Sequence, residues 1–247
     1  MTVAQPKVVA IVGSFRKKGN TDLLVDAALA GAQVRGAEVE KIYVDDLQFS
    51  SCQGCYECKK EGICKINDDV KYVRDQIEAA DAVIIGSPIY GNYMTGQLKM
   101  LLDRLMGVIN KSGFDPVGKK LKSVTRLETK RRNVYIILPL GAPRLESADD
   151  ALKLLRRMTG SFANGGFVEA LVATSVSVYG AVSMNQEALT QYAQTVGIPN
   201  AEEAGKVAFE RNQDYLRQAY AVGCRLVDEL TGDALVDHQD NSPEIYI

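Results

Sequence analysis

Four cysteines, Cys52, Cys55, Cys58 and Cys64, fall within the segment Cys52-Gln53-Gly54-Cys55-Tyr56-Glu57-Cys58-Lys59-Lys60-Glu61-Gly62-Ile63-Cys64. Thiols spaced this closely place four soft ligands around one small volume. Zinc ribbons and fingers usually split their ligands into two pairs a dozen or more residues apart. Repeated Cys-x-x-Cys spacing is instead the habit of cubane iron–sulfur ligation. No proline follows the last cysteine and no second set exists, so all four can serve one centre. A 4Fe-4S cluster, a zinc ion and free thiols are the three readings this spacing leaves. The fifth cysteine, Cys224, sits among Val222, Leu226 and Val227 and reads as core.

Two further segments carry chemistry. Gly13-Ser14-Phe15-Arg16-Lys17-Lys18-Gly19-Asn20-Thr21 follows an apolar run and precedes a helical pattern. Amides at a helix N-terminus, with Ser14, Asn20 and Thr21 as side-chain donors, make an anion site. Arg16 adds a charge-assisted contact, and Lys18 stands in the same loop. The glycines fit neither the dinucleotide fingerprint nor the P-loop, so the loop suits a single phosphate. Its plainer reading is a polar turn with Asn20 and Thr21 as helix caps. The other segment, Ser87-Pro88-Ile89-Tyr90-Gly91-Asn92-Tyr93-Met94-Thr95-Gly96-Gln97, sets two tyrosines beside a bent backbone and the donor Asn92. A flat heterocycle such as a flavin needs that combination of aromatic wall and polar edge. Its plainer reading is a tyrosine-bearing surface loop.

Composition removes competing chemistry. The single histidine, His238, lies in the polar stretch Asp237-His238-Gln239-Asp240, which serves neither a Ser–His–Asp relay nor a multi-histidine metal site. Formal net charge is −2 over 247 residues, so nothing draws the chain to nucleic acid or to an anionic membrane surface. No signal-peptide pattern follows Met1. The most apolar long window, Gly166 to Met184, is interrupted by Glu169 and by Thr174, Ser175 and Ser177, and reads as a buried strand plus loop rather than a membrane span. These features lead us to expect a cytoplasmic protein, whose thiols stay reduced unless bound.

The elements that must position these segments alternate in type. Lys7 to Gly13, Ala82 to Gly86 and Val134 to Leu138 are apolar runs suited to strands buried on both faces. Glu38 to Val44 and Leu171 to Val178 read as two more strands. Helical spacing marks Asn20 to Val34, a helix opened by Asp68-Asp69, Thr95 to Met106, and a long final helix from Ala201 to Leu230. This cadence predicts an α/β fold, a flavodoxin-like doubly wound five-stranded parallel sheet in a three-layer sandwich. One domain over residues 1–230 is expected, with a tail at 231–247. Val108 to Arg132, basic and loop-like, and Ala142 to Asn164, an extra helical segment, read as insertions forming a lid or a subunit contact.

Together the three motifs resemble the iron–sulfur flavoproteins of the NAD(P)H-dependent FMN reductase branch. The residues that carry the likeness are Gly13-Ser14-x-Arg16-Lys17-x-Gly19-Asn20-Thr21, the four cysteines followed by Asp68-Asp69, and Ser87-Pro88-Ile89-Tyr90 leading to Gln97-Leu98-Lys99-x4-Arg104. The likeness covers Val8 to Arg104 well and the remainder only in strand–helix order. It implies an FMN phosphate near Ser14, Arg16, Asn20 and Thr21. It implies the isoalloxazine over Pro88, Ile89, Tyr90, Gly91, Asn92, Tyr93 and Met94, and a third loop at Pro139-Leu140-Gly141-Ala142. It further implies a 4Fe-4S cluster on the four cysteines and NAD(P)H as a co-substrate. A small molecule or redox protein would donate and accept electrons, and the assembly would be a homodimer or homotetramer. No protein side chain is expected to act as catalyst, since the flavin carries the reaction. A cluster-free FMN or quinone reductase and a zinc-bearing flavodoxin-like binding module are the alternatives.

Overall fold

The computed structural model describes residues 5–127 and 130–231. The expectations for the tail at 232–247, His238 included, lie outside the described residues.

Five parallel strands form the sheet: β1 (Lys7–Val12), β2 (Glu38–Tyr43), β3 (Ala82–Gly86), β6 (Asn133–Pro139) and β7 (Val168–Ala173), in the order β2-β1-β3-β6-β7. The remaining strands, β4 (Asn110–Asp115) and β5 (Lys120–Thr125), pair antiparallel in a separate hairpin. Alternation along the strands divides the core. Val9, Ile11, Val83, Ile85, Ile136 and Leu138 face one layer, made by α3 (Val70–Ala79), α4 (Gly96–Ile109) and α5 (Asp149–Ala163). Val8, Ala10, Val12, Ile84, Tyr135 and Ile137 face the opposite layer, made by α1 (Asn20–Val34) and α7 (Ala201–Thr231). Every residue of β3 and β6 is buried, as central parallel strands covered on both faces require. The expected doubly wound fold is thus present.

α1 and α7 touch backbone to backbone. A Cβ on Gly223 would lie 1.9 Å from the Ala28 carbonyl oxygen, and one on Gly31 would lie 2.1 Å from that of Tyr220. Only glycine at both positions permits this crossing.

Three expectations need correction. Residues 108–132 are not a plain loop: β4 and β5 run in register from Asn110–Thr125 to Asp115–Lys120. Residues 142–164 are no extra segment, because α5 is the connection that carries the chain from β6 to its parallel neighbour β7, which parallel pairing demands. The last strand ends at Ala173 rather than Val178, since the polar run Thr174-Ser175 turns out of the sheet, with Ser175 at φ 57°. The short helices α2 (Cys58–Glu61) and α6 (Gln186–Thr195), with 3-10 turns at Val44–Asp46, Leu145–Ala148 and Ala181–Ser183, complete the elements. The sequence reading had no helix at α6.

Order changes direction between β1 and β3, the point where an open parallel sheet leaves a crevice at its carboxyl ends. The β1–α1 and β3–α4 loops emerge there.

Candidate functional site

The two loops at the crevice are tied into one unit. Gly13 N–H donates to the Gly86 carbonyl at 2.7 Å, and Ser87 N–H to that of Ile137 at 3.0 Å, so the ladder continues past the strand ends. Thr95 joins both loops. Its Oγ1 donates to the Gly13 carbonyl at 2.7 Å and accepts from Leu98 N–H as the N-cap of α4, while its own N–H donates to Ser87 Oγ at 3.1 Å. Sequence reasoning placed Thr95 inside the helix. The signal was a threonine immediately before an amphipathic run.

α1 starts on Gly19, and no side chain caps it. The first-turn amides of a helix have no intrahelical acceptor, and the helix dipole adds partial positive charge there. Beside them Arg16 is exposed, makes no ion pair among the described residues, and lies 5.7 Å from the centre of the Phe15 ring. Ser14 and Thr21 are buried, and Ser14 Oγ accepts from Arg16 N–H at 3.2 Å. The loop is pinned from beneath by Asp22, which accepts from Lys18 N–H at 2.6 Å, Lys41 Nζ at 2.9 Å and Tyr43 Oη at 2.8 Å. Burial pushes the Asp22 carboxyl up, but these donors outweigh it and hold it below the ordinary carboxylate value.

Asn20 has a different task from the one its position suggested. Its amide donates to the carbonyls of Val176 at 2.8 Å and Val178 at 2.7 Å, and its Oδ1 accepts from Val182 N–H at 3.1 Å. The side chain is wholly committed to the loop after β7, which Tyr179 also anchors through a hydrogen bond to the Lys17 carbonyl. That loop folds over the crevice. A cavity of about 200 Å3 results, lined by Ser14, Arg16 and Thr21 on one side, by Pro88, Ile89 and Tyr90 on another, and closed by Gly141 and Ser177 to Tyr179.

The structure therefore brings together Ser14, Arg16, Asn20, Thr21, Pro88, Ile89, Tyr90 and Gly141 around one cavity. Lys18 and Gly91 to Met94 do not line it. The Lys18 backbone, at φ 64°, turns the loop. Gly91 and Asn92 are the corners of a tight turn, at φ 56° and 63°, across which Tyr90 and Tyr93 exchange backbone hydrogen bonds; left-handed corners of this kind suit Gly and Asn. Met94 is buried in the core. The residues after β7 were missed because they were read as strand.

The cysteine segment lies apart from this cavity, over α4. Cys52 is exposed, Cys55, Cys58 and Cys64 are half-buried, and none forms a disulfide. Burial raises the Cys58 thiol and the neighbouring sulfurs of Cys64, Cys52 and Cys55 add to that, against the opposing charge of Lys59. Among the described residues no three cysteine, histidine or carboxylate side chains converge as a metal-holding group. The four sulfurs share a neighbourhood without enclosing a centre. Cys224, half-buried on α7, is remote in sequence, and burial raises its thiol too.

Two arginines hold the segment. Arg104, only 3% exposed, pairs bidentately with Asp68 at 2.9 Å on both nitrogens and donates to the Ser50 and Ile66 carbonyls at 2.7 and 3.5 Å. It thereby fastens the chain just before Cys52 and just after Cys64. Burial pushes the Asp68 carboxyl up, and the Arg104 guanidinium together with the Ser50 and Val70 amides more than reverses this. Arg126, at the foot of the β4–β5 hairpin, donates to the carbonyls of Lys59 at 2.6 Å and Lys60 at 3.4 Å. The middle is open: nothing lies within 4 Å of a Cβ built on Gly54. Four thiols suit a soft metal centre in donor chemistry, and the chain around Gly54 has open space beside it.

Residues 6–124 match the family model described as NADPH-dependent FMN reductase. Over 98 residues the chain is 46% identical to an iron–sulfur flavoprotein of Methanocaldococcus jannaschii, covering 40% of this chain and 51% of that one. Over 99 residues it is 36% identical to an iron–sulfur flavoprotein of Methanosarcina thermophila, covering 40% and 51%. The chain thus spans about half the length of the curated relatives it matches. Among solved structures, an FMN-dependent NADH-azoreductase from Bacillus anthracis in complex with FMN superposes with a TM-score of 0.60 at 13% identity, covering 90% of this chain and 100% of the other. An NAD(P)H:quinone oxidoreductase from Methanothermobacter marburgensis gives 0.59 at 14% identity, covering 90% and 100%. At such identity these two speak for the fold alone. Over residues 6–124, then, this chain is similar to the NADPH-dependent FMN reductases, and the curated relatives it matches are iron–sulfur flavoproteins.

Proposed function

We propose that this protein is an FMN-dependent oxidoreductase in which Ser14, Arg16 and Thr21 receive the flavin phosphate and Cys52, Cys55, Cys58 and Cys64 ligate a 4Fe-4S cluster. The observation that carries the reading is the uncapped N-terminus of α1 opening, beside the unpaired Arg16, into a cavity walled by Pro88, Ile89 and Tyr90. An anion is the natural complement of the first feature and a flat aromatic body of the second. The cavity is smaller than the roughly 300–1,000 Å3 of most ligand sites, so it suits the phosphate end, with the ring on the open side where Tyr90 stands.

When bound, FMN exchanges a hydride with a two-electron donor and single electrons with a cluster. The chain itself supplies placement. Asp22 and Lys18 fix the loop that meets the phosphate, and Thr95 keeps the two cavity loops in one register. Asn20 and Tyr179 hold the covering loop that narrows access for water. No ionisable side chain of the cavity is required to move a proton. Arg104 and Arg126 present the cysteine segment for its centre. NAD(P)H or a ferredoxin-like redox protein serves as donor, and the chain assembles as a homodimer or homotetramer.

Anaerobic purification with flavin, iron and sulfide analysis tests the reading. About four irons and four sulfides per chain with bound FMN are expected, and Cys55→Ala should lose iron while keeping flavin. Iron content unchanged by that substitution removes the ligand assignment, and a chain that never binds flavin removes the whole reading.

A further inference from the structure

A second cavity, of about 520 Å3, lies behind the loop that covers the first, between that loop, α6 and α7. Its volume falls within the roughly 300–1,000 Å3 of small-molecule sites. Leu189 from α6, Ile198 and Pro199 from the turn, and Ala204 and Val207 from α7 make its apolar wall. Arg211 faces the same space. Its Nη2 donates to the Ser175 carbonyl at 3.1 Å and to Asn212 Oδ1 at 3.3 Å, both neutral acceptors. Its Nε is buried and has no hydrogen-bond partner, and the side chain forms no ion pair among the described residues. The guanidinium thus lines the cavity as a permanent cation with only neutral acceptors beside it. Glu203 also borders the cavity but is exposed. Its charge repels anions, the more so the more charges they carry, which favours a monoanion over a dianion.

We propose that this cavity is a binding site for a small monocarboxylate with an apolar body, its carboxylate anchored by Arg211 and its body against Leu189, Ile198 and Val207. The site shares Gly141, Ser177 and Val178 with the first cavity.

The test is calorimetric titration of the full chain as purified, repeated with FMN added, using 2-naphthoate, the neutral 2-naphthalenemethanol of the same shape, and inorganic phosphate. One naphthoate per chain with Kd below about 1 mM is expected, the alcohol binding about tenfold or more weakly. Arg211→Met should erase the preference for the acid. Ala204→Phe, which fills the cavity from α7 without touching the guanidinium, should remove both ligands. No binding of naphthoate, equal binding of acid and alcohol, tighter binding of phosphate, or full binding by Ala204→Phe would each overturn the proposal. Titration without flavin keeps this result separate from the fate of the flavin reading.

Discussion

The crevice at β1 and β3 and the cysteine segment over α4 are held in opposite ways. Each loop of the crevice prolongs a buried strand, and backbone bonds such as Leu140 N–H to the Ala173 carbonyl at 2.9 Å carry the ladder outward. Side chains then cross-link the loops: Thr95 joins the first to the second, and Asn20 joins the first to the last. The cysteine segment has ties at its ends, from Arg104, and at its short helix, from Arg126, with open chain between. The first region is cross-linked into one shape, and the second is held at its ends with open chain between; on the proposed reading the cysteines take their final arrangement on binding their centre, as is common where metal binding and local folding are one event.

Removing the end clamp should produce the largest change. Arg104→Met leaves Asp68 without its partner, and breaking a buried pair costs about 3–5 kcal/mol, read as a lower urea midpoint together with faster proteolysis between Ser50 and Ile66. An unfolding midpoint equal to the parent's would show that the segment hangs on other contacts, and the contrast would collapse. Arg16→Ala acts on the crevice alone. Losing a charged hydrogen bond should weaken FMN by about 1.5–3 kcal/mol in a fluorescence titration, with stability unaltered.

Thr95→Ala probes the cross-link itself. A lost N-cap costs about 0.5–2 kcal/mol in stability, and because Thr95 also spans the two loops the flavin affinity should fall with it. A stability loss with flavin affinity intact would mean the loops hold their register independently. The smallest effect is on pH. Asp22 is held as carboxylate more strongly in the folded state than in the unfolded chain. Its contribution is therefore whole above the unfolded value of about 4 and is lost as acid carries the pH down through the lower folded value. Asp22→Asn should flatten that acid arm in melts recorded from neutral pH downward.

The strands were legible because β1, β3 and β6 are buried on both faces and so read as unbroken apolar runs. Helix α5 was legible as helix but mistaken for an insertion, since nothing local in residues 149–163 states which strands they connect. Ser14, Arg16 and Tyr90 could be placed from their position after strands. Asn20 was read as a donor to the anion site, with a helix cap as the plainer role, and the carbonyls of Val176 and Val178 that take its amide are more than 150 residues away. The covering loop was missed for a related reason. Val176 and Val178 are apolar enough to pass for strand, although Ser175 has already turned the chain.

Residue type and periodicity thus determined the sheet, its layers and the supply of four thiols and of an arginine in the first crevice loop, because burial and ligand chemistry are properties of local sequence. Tertiary structure alone decided which loops share a cavity, that Arg104 and Asp68 bracket the cysteines, and that a second, arginine-bearing cavity stands behind the first. Those facts depend on contacts between segments far apart in the chain, and no window of sequence contains both partners.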